Sequence, residues 1–448
     1  MIPDSSKASS CSLADRAKRL YDSFPDRGFF AEKSWRVSPE AFPLSKNEVK
    51  RLERLGPLFL KFQRAADLIY RRSRKGSLPS WISEYLDRGK PESLIDLGMA
   101  PPLVEALPRV IRPDLILTDS GFTACELDSV PGGIGLTAWL SEVYAGIDPN
   151  DEIVGGSDGM LTGFASIFPQ GEADILVSEE AADYRPEMEW LSERLRGDWR
   201  VKDAKSYSPG DRDVYRFFEL FDLANLPGGL AVGEAASQGK IDLTSPFKPW
   251  LEEKMWSALF KAQPLQEVWR RELRDGNWRR LREIFPMSWI IDPAEVPHHA
   301  VIPELGIQSF LEMKQFSQTE RDLVLKLSGF NEKAWGSRSV TIGSDVSQLG
   351  WGEAVDEALQ SFENSPFVLQ RFHSGRLVKH PWFNSETGKI EELEGRVRLC
   401  PYYFVSAQDQ NIKLGGVLAT ICPRDKKILH GMGDAILVPC RLDPSISG

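Results

Sequence analysis

The sequence predicts an α/β (α+β) fold in which mixed and antiparallel sheets are flanked by helices, and three stretches carry that reading. A strand, turn and second strand follow one another between Arg112 and Asp128, with Asp119-Ser-Gly as the turn. A short strand at Ile175-Leu-Val precedes a helical pattern in which Tyr184, Met188, Leu191 and Leu195 recur on one face. Apolar strand patterns then gather late in the chain, at Phe367–Phe372, Tyr402–Val405 and Gly416–Thr420. The predicted divisions are a mostly helical region over 1–110, an α/β domain over 111–245 and a third region over 246–448.

Helical periodicity begins after Ser45, through Leu52, Leu55, Leu58, Phe62, Ala65 and Ile69, with Pro57 expected to divide or open a helix. Charge, Gly and Pro between Arg71 and Pro102 read as short helices and loops. Asp213–Leu220 continues the α/β domain, and the Gly-rich run Leu226–Gly233 reads as a turn or loop. Beyond Ser245, Trp250, Trp256, Trp269 and Trp278 are expected mostly in core packing. Leu323–Leu327 reads as a strand, a polar loop leads to another through Val340, and Trp351, Val355, Ala358 and Phe362 mark a helix face. No internal repeat is visible.

With 448 residues, 42% apolar and 27% charged, the chain reads as globular and long enough for more than one core. Its formal charge of -10 argues against a general polyanion-binding surface, so nucleic acid is not the expected partner. Five cysteines without Cys-x-x-Cys spacing indicate neither a disulfide framework nor a sulfur metal site, which fits a reducing compartment. The polar N-terminus and the lack of any run near the roughly 18 apolar residues of a membrane span lead to the expectation of a cytoplasmic protein.

Chemistry concentrates at Arg112-Pro-Asp114 and Glu126-Leu-Asp128-Ser-Val-Pro-Gly-Gly133. Glu126 and Asp128 lie two apart on a strand, hence on one side, and the turn can return them beside Asp114. Gathered carboxylate oxygens suit magnesium; an ordinary polar strand face is the other reading. The glycines at 132 and 133 offer close backbone approach to a ligand. Lys326, set among apolar residues before Ser328-Gly-Phe-Asn-Glu-Lys-Ala-Trp-Gly, is either a phosphate-neutralising strand lysine under a small cover or a solvated charge beside a turn. Lys254 is a second such cation or a solvated helix charge. Gln370-Arg371-Phe372 can border a base pocket or run through a core, and Arg396 and Arg398 share one strand side. Cys125 reads as a strand filler, and neither a Walker loop, a Gly-x-Gly-x-x-Gly fingerprint, a zinc spacing nor a nucleophile elbow occurs.

In combination these segments resemble the ATP-grasp ligases, and in particular the branch with rearranged motif order that includes glutathionylspermidine synthetases. The acidic Glu126-Leu-Asp128-Ser-Val-Pro-Gly-Gly motif comes early here, preceded by Arg112-x-Asp114, whereas most of the superfamily carries it late. The resemblance implies that Asp114, Glu126 and Asp128 hold magnesium and that Lys254 and Lys326 contact ATP. Ser328, Gly329 and Gly336 would belong to the phosphate cover, with Gln370, Arg371 and Phe372 as the hinge strand beside adenine. Arg112 and Arg398 would act at the transferred phosphate.

Two departures stand out: Asp128 replaces the usual asparagine, and Val-Leu-Ala-Thr420 replaces a strand ending in arginine, leaving Arg398 or Arg424 as substitutes. No N-terminal amidase-like segment is seen. The implied reaction joins a small-molecule or peptide carboxylate to an amine through an acyl phosphate, giving an amide or peptide bond. A nucleotide-binding protein with lost turnover and an ATP-dependent small-molecule kinase are the alternatives, and a homo-oligomer is compatible with all three.

Overall fold

The computed structural model describes residues 12–24, 34–128, 130–334, 338–431 and 433–446. Among the described residues sixteen strands form three sheets: β1 (Phe42–Leu44), β2 (Val110–Thr118), β3 (Gly121–Asp128), β4 (Glu152–Ile153), β5 (Glu172–Val177), β6 (Asp198–Asp203), β7 (Asp213–Phe217), β8 (Leu243–Thr244), β9 (Ser288–Ile290), β10 (Leu323–Leu327), β11 (Thr341–Ile342), β12 (Phe367–Arg371), β13 (Leu377–Asn384), β14 (Lys389–Val405), β15 (Ile412–Pro423) and β16 (Ile436–Leu442). An eight-stranded sheet runs β1-β16-β15-β14-β2-β3, with β13 beside β14 and β4 beside β16. It is antiparallel except where β1 meets β16. A second sheet, β11-β10-β12-β9, is antiparallel; the third, β6-β5-β7-β8, is parallel. The large sheet crosses the sequence divisions at 110 and 245, because β2 and β3 pair into it beside β14. Among the described residues no helix is long and apolar enough to cross a membrane.

The helix Lys46–Arg74 starts at a Ser45/Glu48 capping box and runs through Pro57 without dividing. A proline there removes one intrahelical donor, yet Leu52, Leu55, Leu58, Phe59 and Phe62 bury this stretch, and the Tyr403 hydroxyl donates to the Leu52 carbonyl at 2.6 Å. Farther along the same helix, Phe62 stacks on Trp269 with centroids 5.3 Å apart, and Tyr70 on Trp250 at 4.1 Å. Core packing therefore accounts for three of the four tryptophans, Trp250, Trp256 and Trp269 being buried.

The run Leu226–Gly233 is not a loop but enters the helix Pro227–Ser237. Proline suits its first turn, and a Cβ on Gly228 would come within 2.6 Å of the Ala204 and Tyr207 carbonyls, so glycine permits a contact that overrides its low helix propensity.

Candidate functional site

The β2–β3 hairpin closes with Thr118 opposite Gly121, and a register shift at Asp114/Leu115 leaves Cys125 as the extra residue. The bulge keeps Asp114 opposite Glu126 and Arg112 opposite Asp128. Period-two alternation continues on β14, where Arg396 and Arg398 face the same side. Across from this face stands the β10–β12 sheet, with Lys326, Gln370 and Arg371. Between them lies a cavity of about 230 Å³ lined by Arg112, Asp114, Glu126, Asp128, Lys254, Lys326, Gln370, Arg371, Phe372 and Arg398.

Direct bonds tie the two sides together. Lys326 donates from Nζ to the Cys125 carbonyl at 3.0 Å. Lys254 bridges Glu126 Oε1 at 3.0 Å and the Ala334 carbonyl at 3.1 Å. Arg112 reaches Asp114 at 3.1 Å, Asp128 at 2.9 Å and the Gly132 carbonyl at 3.0 Å, while Arg398 takes the second Asp114 oxygen at 3.0 Å. Burial opposes ionisation of Asp114, but Arg112 and Arg398 outweigh it and lower its carboxyl to about 2. At Asp128 burial prevails over Arg112 and raises the carboxyl above its ordinary value, with Glu126 adding to the rise. Burial also pulls the Lys254 ammonium down, yet Glu126 outweighs it and raises the group. Burial pushes the Cys125 thiol up to about 11, so at neutral pH it is a protonated filler, its sulfur donating to the Asp114 carbonyl at 3.3 Å.

The carboxylates differ in what they can offer a cation. Among the described residues no group of three or more His, Cys, Asp or Glu side chains is disposed to hold a metal ion. Asp114, with a side chain only 9% exposed, has one oxygen on each of two guanidiniums. Both Asp114 oxygens are thereby engaged by side chains of the cleft. Glu126 and Asp128 are 36% and 26% exposed, and each meets a cation, Glu126 through Oε1 and Asp128 through Oδ2. Two carboxylates fit magnesium, which is ordinarily completed by water and substrate phosphates.

Ser328 and Gly329 lie off the main cavity. Ser328 does not line the cleft: its buried hydroxyl donates to Glu253 and accepts from the Met255 amide at 2.9 Å, while its carbonyl accepts from the Lys254 amide at 3.0 Å. It thus holds the backbone of the lysine. Gly329 borders a smaller adjoining cavity with Glu219, Glu252 and Phe330, and Gly336 lies outside the described residues. Gln370 is buried, donating to Ser257 at 3.0 Å. Beside Gly132, at the cavity wall, stands the Tyr184 ring, which a Cβ would meet at 2.3 Å. Gly133 takes φ +84 under the Tyr402 hydroxyl.

Of the two substitutes for the arginine absent at Thr420, only Arg398 reaches the cleft. It lies directly opposite Thr420 on the neighbouring strand, whereas Arg424 pairs with Glu394 at the surface. The sequence reading missed Thr123, Tyr184, His373 and Lys427–His430 as cleft residues. Alternation on β3 could have found Thr123; nothing local marks the others, which come from connections folded back over the sheets.

The fold is mixed α/β, with mixed and antiparallel sheets flanked by helices. A glutathione synthetase-like effector from Globodera pallida, solved in its apo form, overlays with a TM-score of 0.52 at 10% identity, over 96% of this chain and 95% of that one. A candidate gamma-glutamylcysteine synthetase from Methylobacillus flagellatus gives a TM-score of 0.37 at 10% identity over 88% of each chain, an overlap that carries no argument. No family model and no curated protein matches the sequence.

Proposed function

We propose that this chain is an ATP- and magnesium-dependent carboxylate–amine ligase that forms an amide or peptide bond through an acyl phosphate. The observation that carries the reading is the 3.0 Å bond from Lys326 to the Cys125 carbonyl, because it seats the lysine-bearing sheet on the carboxylate hairpin around one cleft. The early hairpin, preceding both Lys254 and Lys326 in the chain, supports the branch with rearranged motif order. Four described cysteines are free, in keeping with a reducing, cytoplasmic setting.

In this reading Lys326 and Lys254 hold the polyphosphate, and Gln370–Phe372 border the base. Glu126 and Asp128 hold magnesium, which when bound supplies charge neutralisation and polarisation of phosphate oxygens. Asp114 is a positioning residue: it aims Arg112 and Arg398 at the place where charge develops as the γ-phosphoryl group passes to a substrate carboxylate. The amine then attacks the acyl carbon, the C–O bond to phosphate breaks, and the amine proton leaves to solvent. Exclusion of water protects the acyl phosphate until that attack.

A second reading, a nucleotide binder without turnover, is favoured by the saturation of Asp114 and the ion pairs on Asp128 and Glu126. ADP release with a panel of acids and amines, with hydroxylamine included to trap the acyl phosphate as a hydroxamate, separates the two. Hydroxamate formed only with ATP, magnesium and an acid supports the ligase; tight ATP binding without ADP release across the panel selects the silent binder.

A further inference from the structure

Lys427, Ile428, Leu429 and His430 line the cleft although they belong to the connection between β15 and β16. The root of this connection is fixed in the large sheet. Leu429 packs with Cys422, Ala435 and Ile116, the Cys422 thiol donates to the His430 carbonyl at 3.3 Å, and the Arg424 amide donates to the Glu394 carbonyl at 3.2 Å. Its tip crosses to the other sheet. The Lys427 ammonium pairs with Asp345, donates to Ser344 Oγ at 3.2 Å, and stands 5.7 Å from the centroid of Phe372. Ser344 and Asp345 form the turn Gly343–Asp345 after β11, and Phe372 follows β12 where the chain leaves for β13. Ile428, 37% exposed, lies between root and tip.

We propose that residues 424–431 are a strap over the hinge end of the cleft, latched by Lys427 and Asp345, and that release of this latch admits and discharges the nucleotide. The inference rests on the nucleotide reading above. A strap rooted in one sheet and bonded to the other spans the opening between them, so a ligand reaching Phe372 passes it. The root is buried and stays. The latch is an ion pair whose side chains are 36% and 42% exposed, a class of contact weak enough to open and close during exchange and sensitive to salt. Phe372 would feel the change through the ammonium held near its ring.

Stopped-flow binding and displacement of a fluorescent ATP analogue with the full chain and magnesium tests the latch. K427A and D345A are expected to raise association and dissociation rates together by about two- to five-fold, leaving the equilibrium constant nearly unchanged. The swap K427E/D345K is expected to return both rates toward those of the native chain, and added salt should accelerate exchange in the native chain more than in K427A. Unchanged rates in both single variants, or a swap no closer to the native rates than either single variant, would overturn the strap alone. No binding of the analogue by the native chain would instead remove the nucleotide reading and the strap with it. Thermal unfolding of each variant verifies that the exposed substitutions leave the fold intact.

Discussion

The two sides of the cleft carry charge in opposite ways. On the β2–β3–β14 face nearly every charge is already matched: Asp114 by two guanidiniums, Asp128 by Arg112 and Glu126 by Lys254. On the β10–β12 side, Lys326 has no carboxylate within ion-pair distance among the described residues and donates only to a backbone carbonyl. The contrast separates a prearranged scaffold from a cation held ready for an anion. In the proposed reading Lys326 would exchange a neutral acceptor for a phosphate and Lys254 would give up an ion pair, whereas Asp114 would stay on its two partly buried guanidiniums.

The largest expected effect breaks the lysine side. K326A should lower kcat/KM for ATP by about a hundred- to a thousand-fold in the ADP-release assay, as loss of a preorganised charge contact at a developing charge does. K326R, keeping charge with different geometry, should recover part of this.

Next comes the scaffold side, read as stability. D114N leaves Arg112 and Arg398 without their shared anion and should cost about 3–5 kcal/mol at pH 7, measured by urea unfolding. Asp114 titrates at about 2 in the folded chain, below its ordinary value, so its stabilisation is full above about pH 4 and lost as pH falls through about 2. The gap between the native chain and D114N should therefore shrink on acidification from pH 4 to pH 2. A constant gap would mean that the ion pairs contribute little.

Smaller effects sharpen the distinction among carboxylates. E126Q should raise the magnesium concentration needed for ATP turnover by about ten- to a hundred-fold, and D128N by less than about ten-fold, since burial already disfavours the charged form of Asp128. The smallest effect concerns Cys125. Its thiol, up at about 11, should alkylate slowly with iodoacetamide at pH 7.5 and faster as pH approaches 10, followed by mass spectrometry.

Much of the cleft was legible because strand alternation is a local rule. Glu126 and Asp128 two apart, Arg396 and Arg398 two apart, and a turn at Asp119 suffice to put each pair on one side of its own strand and the carboxylates beside Asp114. What alternation does not contain is pairing across the sheet. Nothing near Asp114 announces that Arg398, far along the chain, takes its second oxygen. Nor does a local rule place Ser328 under Lys254 rather than over a phosphate, since that depends on Glu253 receiving its hydroxyl. At Leu226–Gly233 and Pro57 tertiary packing overrode propensity: a close backbone contact wanted glycine inside a helix, and a deeply buried helix tolerated proline. The strap escaped notice because its residues carry no pattern of their own and acquire a role only from the sheet they reach.

Calorimetric titration of ATP into the full chain, with and without magnesium, bears most directly on the claim that the carboxylate hairpin and Lys326 serve one ligand. The account predicts that magnesium tightens ATP binding at least about ten-fold in the native chain, and that E126Q and K326A each erase most of that gain. Equal affinity with and without magnesium, or full retention of the gain in both variants, would contradict it.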